Sequence, residues 1–418
     1  MCLGNGRSKI KISGFVYLFA TAFMIFFSVN AIHSWPNLWA QAAISLACIC
    51  PALILLYEKP TYFFRANRWS IENKVILVIV LLGALNICFS ENQPATFKGM
   101  VLFLISGILV FSVSCVLFES RNLKSNYIFL CSISFVIVVV FGFVEVISGE
   151  SILFLTSAEA ILFSHNPIPA GSLIILLSVG PLFSLTQNEV AWKKWFWIFS
   201  LAMGILLVIL IGKRSPVLAI ALMLLFFIVL TKKHLYVLIL ITMVLAGIGH
   251  QFKDSFFVER YLNKETLLVR MEFYHVALDV LKEKPLFGIG FNSSLSRFVP
   301  FYYEPKVFPL NSDNSFQALV GGVFTFDNMF LCLLGEGGGL FTLAYICLGV
   351  ILFKKFLNLG LLNMDSRLQV TLLLAVLVGF GVHSLAYDSL KYPHLNWLFH
   401  SLLAFVVHCR VLPYKSKE

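Results

Sequence analysis

Lys213 and Arg214 stand in the short link Gly212-Lys213-Arg214-Ser215-Pro216 between two long apolar runs. A guanidinium can hold two oxygens of a phosphate at once, and the neighbouring ammonium adds a point charge. The pair therefore suits an anionic, lipid-linked group at the edge of an apolar phase. A lone arginine there could equally snorkel to lipid headgroups. Acidic and amide side chains recur further on: Asp327 and Asn328 where an apolar run begins, Glu336 inside that run, and Asp388 at the end of the next. A carboxylate within hydrogen-bond reach can take the proton of a reacting hydroxyl, which suits Asp327. Asp327 would serve as well as a helix N-cap. Asn328 could bond a hydroxylated ligand or help the cap. Glu336 should face protein or a wet cavity, paired with an arginine or protonated. The glycines around it, Gly335, Gly337, Gly338 and Gly339, permit close helix packing or an irregular turn, and packing is the expected role. Asp388 could orient Arg214 or a ligand, with Lys391 offering it a plain salt bridge.

The elements that must position these groups are membrane helices. Hydrophobic residues make up 59% of the 418 residues and charged residues 12%, and the mean hydropathy is +0.89, which excludes one soluble core. Apolar stretches near the roughly 20 residues needed to span a bilayer run over 12–32, 38–57, 74–90, 98–118, 127–147, 168–186, 196–211, 216–231, 234–250, 328–353, 368–387 and 394–409. The fold class expected is an all-α polytopic protein of about twelve transmembrane helices. The first run lacks a small-residue cleavage site and reads as a retained helix.

Short cytoplasmic loops favour Lys and Arg, and here every second segment is basic. Arg7, Lys9 and Lys11 precede the first run; Lys59, Arg65, Arg68 and Lys74, then Arg121 and Lys124, Lys193 and Lys194, Lys232 and Lys233, Lys354, Lys355 and Arg367, and finally Arg410, Lys415 and Lys417 follow. Of the intervening segments, 33–37 and 148–166 have none, and 388–393 has only Lys391. Both termini are thus expected in the cytoplasm. The net charge of +10 reflects this topology, and no nucleic-acid partner is expected. No cysteine pair has zinc-ligand spacing. His383 is isolated and expected to be buried and hydrogen-bonded. No Asp-x-Asp pair and no phosphate-cradling glycine loop occurs, so neither metal nor cofactor is expected.

The chain divides into helices over 1–250, an outer loop over 251–326, and helices plus a tail over 327–418. The loop exceeds an ordinary connector. Within it Leu267, Met271, Tyr274, Leu278 and Leu281 recur at helical spacing, predicting an amphipathic helix along the membrane surface. Pro285 ends that helix, and Gly288 and Gly290 allow a tight turn back toward the bilayer.

Four features together resemble the bacterial O-antigen ligase and Wzy-type polymerase superfamily: Arg214 in an outer turn; Arg270 heading Arg270-Met271-Glu272-Phe273-Tyr274-His275-Val276-Ala277-Leu278; Pro285-Leu286-Phe287-Gly288-Ile289-Gly290; and Asp327-Asn328-Met329-Phe330-Leu331 leading to Glu336-Gly337. The resemblance covers about residues 196–400. It departs from the family where Asp327 replaces a usual histidine and Gly337 directly follows Glu336.

The resemblance implies transfer of an undecaprenyl-diphosphate-linked glycan at the periplasmic face of the bacterial inner membrane, without metal. Arg214 would stabilise the departing diphosphate. Arg270 would be a second phosphate clamp or an acceptor seat, or else an ordinary charge on a surface helix. Asp327 would be the base or would orient the hydroxyl. Lys213, Asn328, Glu336, Asp388 and His275 would contact substrate. Membrane lipid and a polysaccharide chain-length regulator are the implied partners. Asp327 in the histidine place tilts the reading toward a polymerase, which extends another lipid-linked repeat, over a ligase, which transfers to lipid A-core. A transporter of lipid-linked oligosaccharide is the other alternative, though it should show related helical halves or polar groups near midplane.

Overall fold

A computed structural model describes residues 12–26, 38–58, 71–148, 168–186, 190–210, 214–231, 265–293, 326, 328–360 and 364–407. Among these, helices and short links account for the chain and no strand occurs. The helices are α1 (Ile12–Phe26), α2 (Leu38–Glu58), α3 (Ile71–Phe89), α4 (Gln93–Phe103, π-helical Leu104–Leu109, then Val110–Leu117), α5 (Arg121–Ser148), α6 (Ile168–Leu177 and Val179–Thr186), α7 (Ala191–Leu210), α8 (Arg214–Thr231), α9 (Glu265–Glu283), α10 (Met329–Cys332, π-helical Leu333–Gly337, then Gly338–Gly360), α11 (Met364–Ser384) and α12 (Pro393–Val407). Eleven of the twelve apolar stretches coincide with helices. The ninth, 234–250, lies outside the described residues. The protein is an all-α polytopic membrane protein.

Local chemistry explains where helix ends differ from hydropathy. α4 starts at Gln93, ahead of its apolar run, because Asn92 Oδ1 accepts the Ala95 amide at 3.2 Å and Pro94 occupies the first turn, both start signals. α5 and α7 likewise extend through Arg121 and Lys193, charges that a hydropathy window cuts off. Large apolar side chains such as Phe15, Phe19, Phe129, Phe199 and Leu343 point outward, as a bilayer solvent allows. Trp192 and Trp195 are exposed beside Lys193 and Lys194, a combination typical of the membrane interface.

α12 lies at the centre, packed against α1, α4, α6, α10 and α11. Its Trp397 stacks on Tyr17 with centroids 5.6 Å apart and donates to Thr21 Oγ1 at 3.1 Å. Tyr17 in turn hydrogen-bonds Ser114 at 2.6 Å and Ser401 at 2.7 Å, joining α1, α4 and α12. Asn396 donates to the Phe103 carbonyl and to Ser106 Oγ, both at 2.9 Å. This intrusion sits where α4 turns π-helical, and an inserted side chain is a recognised cause of such a break. His400 places Nδ1 2.8 Å from the Asn396 carbonyl and Nε2 2.5 Å from the Tyr345 hydroxyl. A carbonyl can only accept, so Nδ1 carries the proton and Nε2 accepts from Tyr345.

The second interruption, in α10, positions the outer loop. The glycines there make an irregular turn, not the close helix packing expected from their small size. Gly338 adopts φ 83° and ψ 167°, and the turn after α9 docks against it. Ile289 N–H donates to the Gly335 carbonyl and Gly290 N–H to the Glu336 carbonyl, both at 3.0 Å. In the other direction Gly339 N–H donates to Pro285 O at 2.9 Å. Gly288 and Gly290 have φ 66° and 104°, the positive values the sequence suggested. Asn86 of α3 clasps both partners, giving its amide to Phe287 O at 2.5 Å and Glu336 O at 2.8 Å and accepting Phe291 N–H at 3.3 Å.

α9 forms as expected and ends before Pro285, and it packs into the protein through residues other than the expected apolar stripe. Val276, Ala277 and Val280 are buried, whereas Tyr274 is 47% and Leu278 50% exposed. The helix carries two apolar faces, and the one with small and branched residues fits the glycine-rich break in α10.

Gly338 occupies a region open essentially to glycine alone, where another residue costs about 1–3 kcal/mol. A Cβ there would also lie 2.4 Å from the Phe287 carbonyl carbon. Gly338→Ala is expected to lower thermal stability in detergent by more than that strain alone. Gly349→Ala, with nothing within 4 Å of its Cβ, should be neutral. Fluorescence-detected size exclusion after heating checks both.

Candidate functional site

Three links meet at one end of the bundle: 90–92, 285–293 and 385–392. Glu91 N–H donates to Ile289 O at 3.3 Å, and Ser90, Thr96 and Ser293 join hydroxyls within 3.3 Å. The basic-residue pattern expects this end to face outward. Lys355 and Glu72, paired at 2.7 Å, mark the opposite end.

Glu336 is fully buried, and its two oxygens are both used. Lys391 Nζ donates to Oε1 at 2.6 Å and the Asn292 amide to Oε2 at 2.9 Å. Lys391 comes from a single 3-10 turn, Ser389–Lys391, in the link between α11 and α12. Burial disfavours its ammonium, but the carboxylates of Glu336 and Asp388 more than offset this and hold it above the ordinary lysine range. Asn292 is the one described non-glycine residue with positive φ, 57°, a conformation asparagine tolerates better than most. That backbone aims its N–H at the carboxylate.

Above the ion pair lies an open cavity of about 210 Å³. Phe103, Phe291 and Tyr392 supply aromatic lining, and Asn292, Asp388 and Lys391 supply the polar groups. Gly99 makes room at one side: a Cβ there would come within 2.5 Å of Asn292 Nδ2. Behind it Phe103 and Phe291, with centroids 5.0 Å apart, continue into Phe341 and Tyr345. On the α11–α12 side, buried His383 lies 6.0 Å from the Tyr387 ring, Tyr387 and Tyr392 share a hydroxyl hydrogen bond, and Tyr392 lies 6.1 Å from His394. Such a cavity can hold a small ligand with apolar faces and hydroxylated edges.

The structure gathers two of the sequence candidates here, Glu336 and Asp388. The partner of Glu336 is Lys391, not an arginine, and the Asp388 carboxylate acts on the same ammonium. Asn328 sits apart as the N-cap of α10: Oδ1 accepts Phe330 and Leu331 N–H at 2.9 and 3.2 Å, while Nδ2 donates to Tyr274 OH and Leu385 O. Of the two roles expected for Asn328, the structure shows the cap. His275 is exposed on α9. Asp327 and Lys213 lie outside the described residues; Arg214 and Arg270 are described only as backbone, at the start of α8 and within α9. α8 and α6 run in the same direction, since Gly171 adjoins Pro216 and Ser178 bonds Met223. Sequence reading missed Asn86, Asn292 and Tyr392. An asparagine inside an apolar run was the available signal for Asn86.

The O-antigen ligase family matches residues 198–347, a stretch from α7 into α10. It contains Arg214, Arg270, the docked turn and Glu336, and agrees with the resemblance drawn from those motifs. Among curated proteins none matches the chain. The family match supports a membrane enzyme of the glycan ligase and polymerase type acting on lipid-linked glycan.

Removing one member of a buried ion pair leaves the other charge stranded, at a cost of about 3–5 kcal/mol. Lys391→Met and Glu336→Leu are each expected to destabilise the protein by that order. The double variant should recover most of the loss, because neither charge is then left alone. A double-mutant cycle on thermal unfolding in detergent measures the coupling.

Proposed function

We propose that the protein is a polymerase of O-antigen or a related surface polysaccharide, working at the periplasmic face of the inner membrane. It would transfer an undecaprenyl-diphosphate-linked glycan to the sugar end of another lipid-linked repeat. The observation that carries this reading is the union of the motifs. The Pro285-to-Gly290 turn, which follows the Arg270 helix directly, is hydrogen-bonded into the Leu333–Gly338 break that holds Glu336. Residues far apart in the chain thereby become one unit beside a cavity at the end of the bundle where α8 would present Arg214.

The reaction breaks the bond between the anomeric carbon and the diphosphate oxygen and forms one to the acceptor hydroxyl oxygen. Negative charge grows on the departing diphosphate, and Arg214 is assigned to neutralise it. Lys213 and Arg270 add positive charge for the same group. The acceptor proton passes to Asp327, a carboxylate where the family's usual motif has a histidine. That replacement favours the polymerase. The family's own description, O-antigen ligase, keeps transfer to lipid A-core as the second reading.

Deletion of the gene tests the choice. A polymerase lost should leave lipopolysaccharide capped by a single repeat, since export and ligation continue. Long chains accumulating on the polyprenyl carrier over uncapped core would instead identify a ligase. Unextended repeats held on the cytoplasmic side would identify an exporter. Complementation examines the clamp: Arg214→Ala should abolish chain extension at normal membrane abundance. Arg214→Lys should restore only part, because a point charge lacks the planar fork. Normal chain length with Arg214→Ala removes the residue from the mechanism.

A further inference from the structure

We infer that Asn328 is a positioning residue, which holds α9, the helix bearing Arg270, at a fixed place against the start of α10, where Asp327 stands. The inference rests on the glycan-transfer reading, in which Arg270 serves the diphosphate and Asp327 the acceptor hydroxyl.

The first argument is that the Asn328 side chain has no hydrogen bond left to give. Oδ1 accepts the Phe330 and Leu331 N–H groups at 2.9 and 3.2 Å, and Nδ2 donates to the Leu385 carbonyl at 2.7 Å and the Tyr274 hydroxyl at 3.1 Å. Backbone N–H groups only donate and a carbonyl only accepts, so the two ends of the amide cannot be interchanged. Two acceptor sites and two protons are the whole capacity of the group. All are engaged, and the residue is buried. A sugar hydroxyl could bond Asn328 only by displacing one of these partners, so the substrate contact that the resemblance implies is the costlier use of this side chain.

The second argument is which segments the four bonds join. Two of them cap α10, directly after Asp327 in the chain. The third reaches α9 at Tyr274, four residues and so about one helical turn beyond Arg270. The fourth reaches Leu385, just past the end of α11 and three residues ahead of Asp388. One amide thus ties together the segments that carry Asp327, Arg270 and Asp388. Aspartate and serine also cap helices, but a carboxylate has no proton for the Leu385 carbonyl, and serine has a single proton on a shorter side chain.

Tyr274 makes the tie testable, because its ring is half exposed and its hydroxyl can be removed while the cap stays. The full-length protein in detergent is assayed with undecaprenyl-diphosphate-linked repeat extracted from the deletion strain, and amide hydrogen exchange is followed by mass spectrometry on the same samples. Tyr274→Phe should lower kcat about tenfold with KM changed by no more than about twofold, since a displacement near 1 Å costs turnover on the order of 10²-fold. Exchange should quicken over 265–283 and stay unchanged over 329–332. Asn328→Ser, which loses both amide protons, should lower kcat further and quicken exchange over the same helix. In an Arg270→Ala background Tyr274→Phe should lower the residual rate by no more than about twofold, because its effect passes through α9, whereas a general loss of structure would add in full.

A raised KM in Asn328→Ser with Tyr274→Phe silent would return Asn328 to substrate contact and overturn the inference. Unchanged exchange over α9 in both variants, or a loosened α9 with normal kcat, overturns it equally. Transfer by the unaltered protein with both variants silent rejects the positioning role alone. Absence of transfer by the unaltered protein rejects the proposed reaction instead, and exchange over α9 then decides the clamp by itself.

Discussion

Inside a bilayer every backbone N–H and C=O must find a partner within the protein, because lipid offers none and each orphan costs several kcal/mol. That constraint governs the break in α10. The π-helical turn and Gly338 free the carbonyls of Gly335 and Glu336 and the amides of Gly339 and Leu340. All four are bonded again by the turn after α9, through Ile289, Gly290, Pro285 and Leu286. Asn86 adds its side-chain amide to the same carbonyl of Glu336. Break and turn therefore cannot exist apart: a straight α10 would have no carbonyls to offer, and an undocked turn would leave its own groups and those of α10 unmet.

The position of Glu336 follows from this exchange. An α-helix would carry its side chain along a fixed stripe, whereas the break lets both oxygens be met by groups from other segments, Lys391 and the Asn292 amide. The same exchange places Asn292 at the cavity and anchors α9, the helix bearing Arg270. Mutual close approach makes glycine obligatory on both sides. A Cβ on Gly288 would lie 2.5 Å from Gly335 O, and one on Gly338 would lie 2.5 Å from Gly288 N.

A second polar seam supports the first from the other side of the cavity. Asn396 meets the π-helical part of α4, and His400 meets Tyr345 of α10. These bonds fix α12 against both irregular helices, so the aromatic layer from Phe103 to Tyr345 has a defined floor. Satisfied polar groups of this kind specify one arrangement of helices where apolar packing alone would allow several.

Hydropathy and the alternation of basic links determined the helical class, the course of the described spans and the expected sidedness, because a bilayer enforces length and charge rules residue by residue. The motifs around Arg270, Pro285 and Glu336 were also legible, as was the positive φ of Gly288 and Gly290, since those depend on local residue types. Pairing was not. Nothing in the spacing of Glu336 and Lys391, 55 residues apart, joins them, and the lysine exceptional for its expected outer position proved to be turned inward to a carboxylate. The buried face of α9 was likewise decided by tertiary structure, because the helix has two apolar stripes and only the shape of the α10 break selects Val276, Ala277 and Val280 over Tyr274 and Leu278. The roles of Asn86, Asn292 and Tyr392 arise from contacts between distant segments, which local patterns of polarity do not encode.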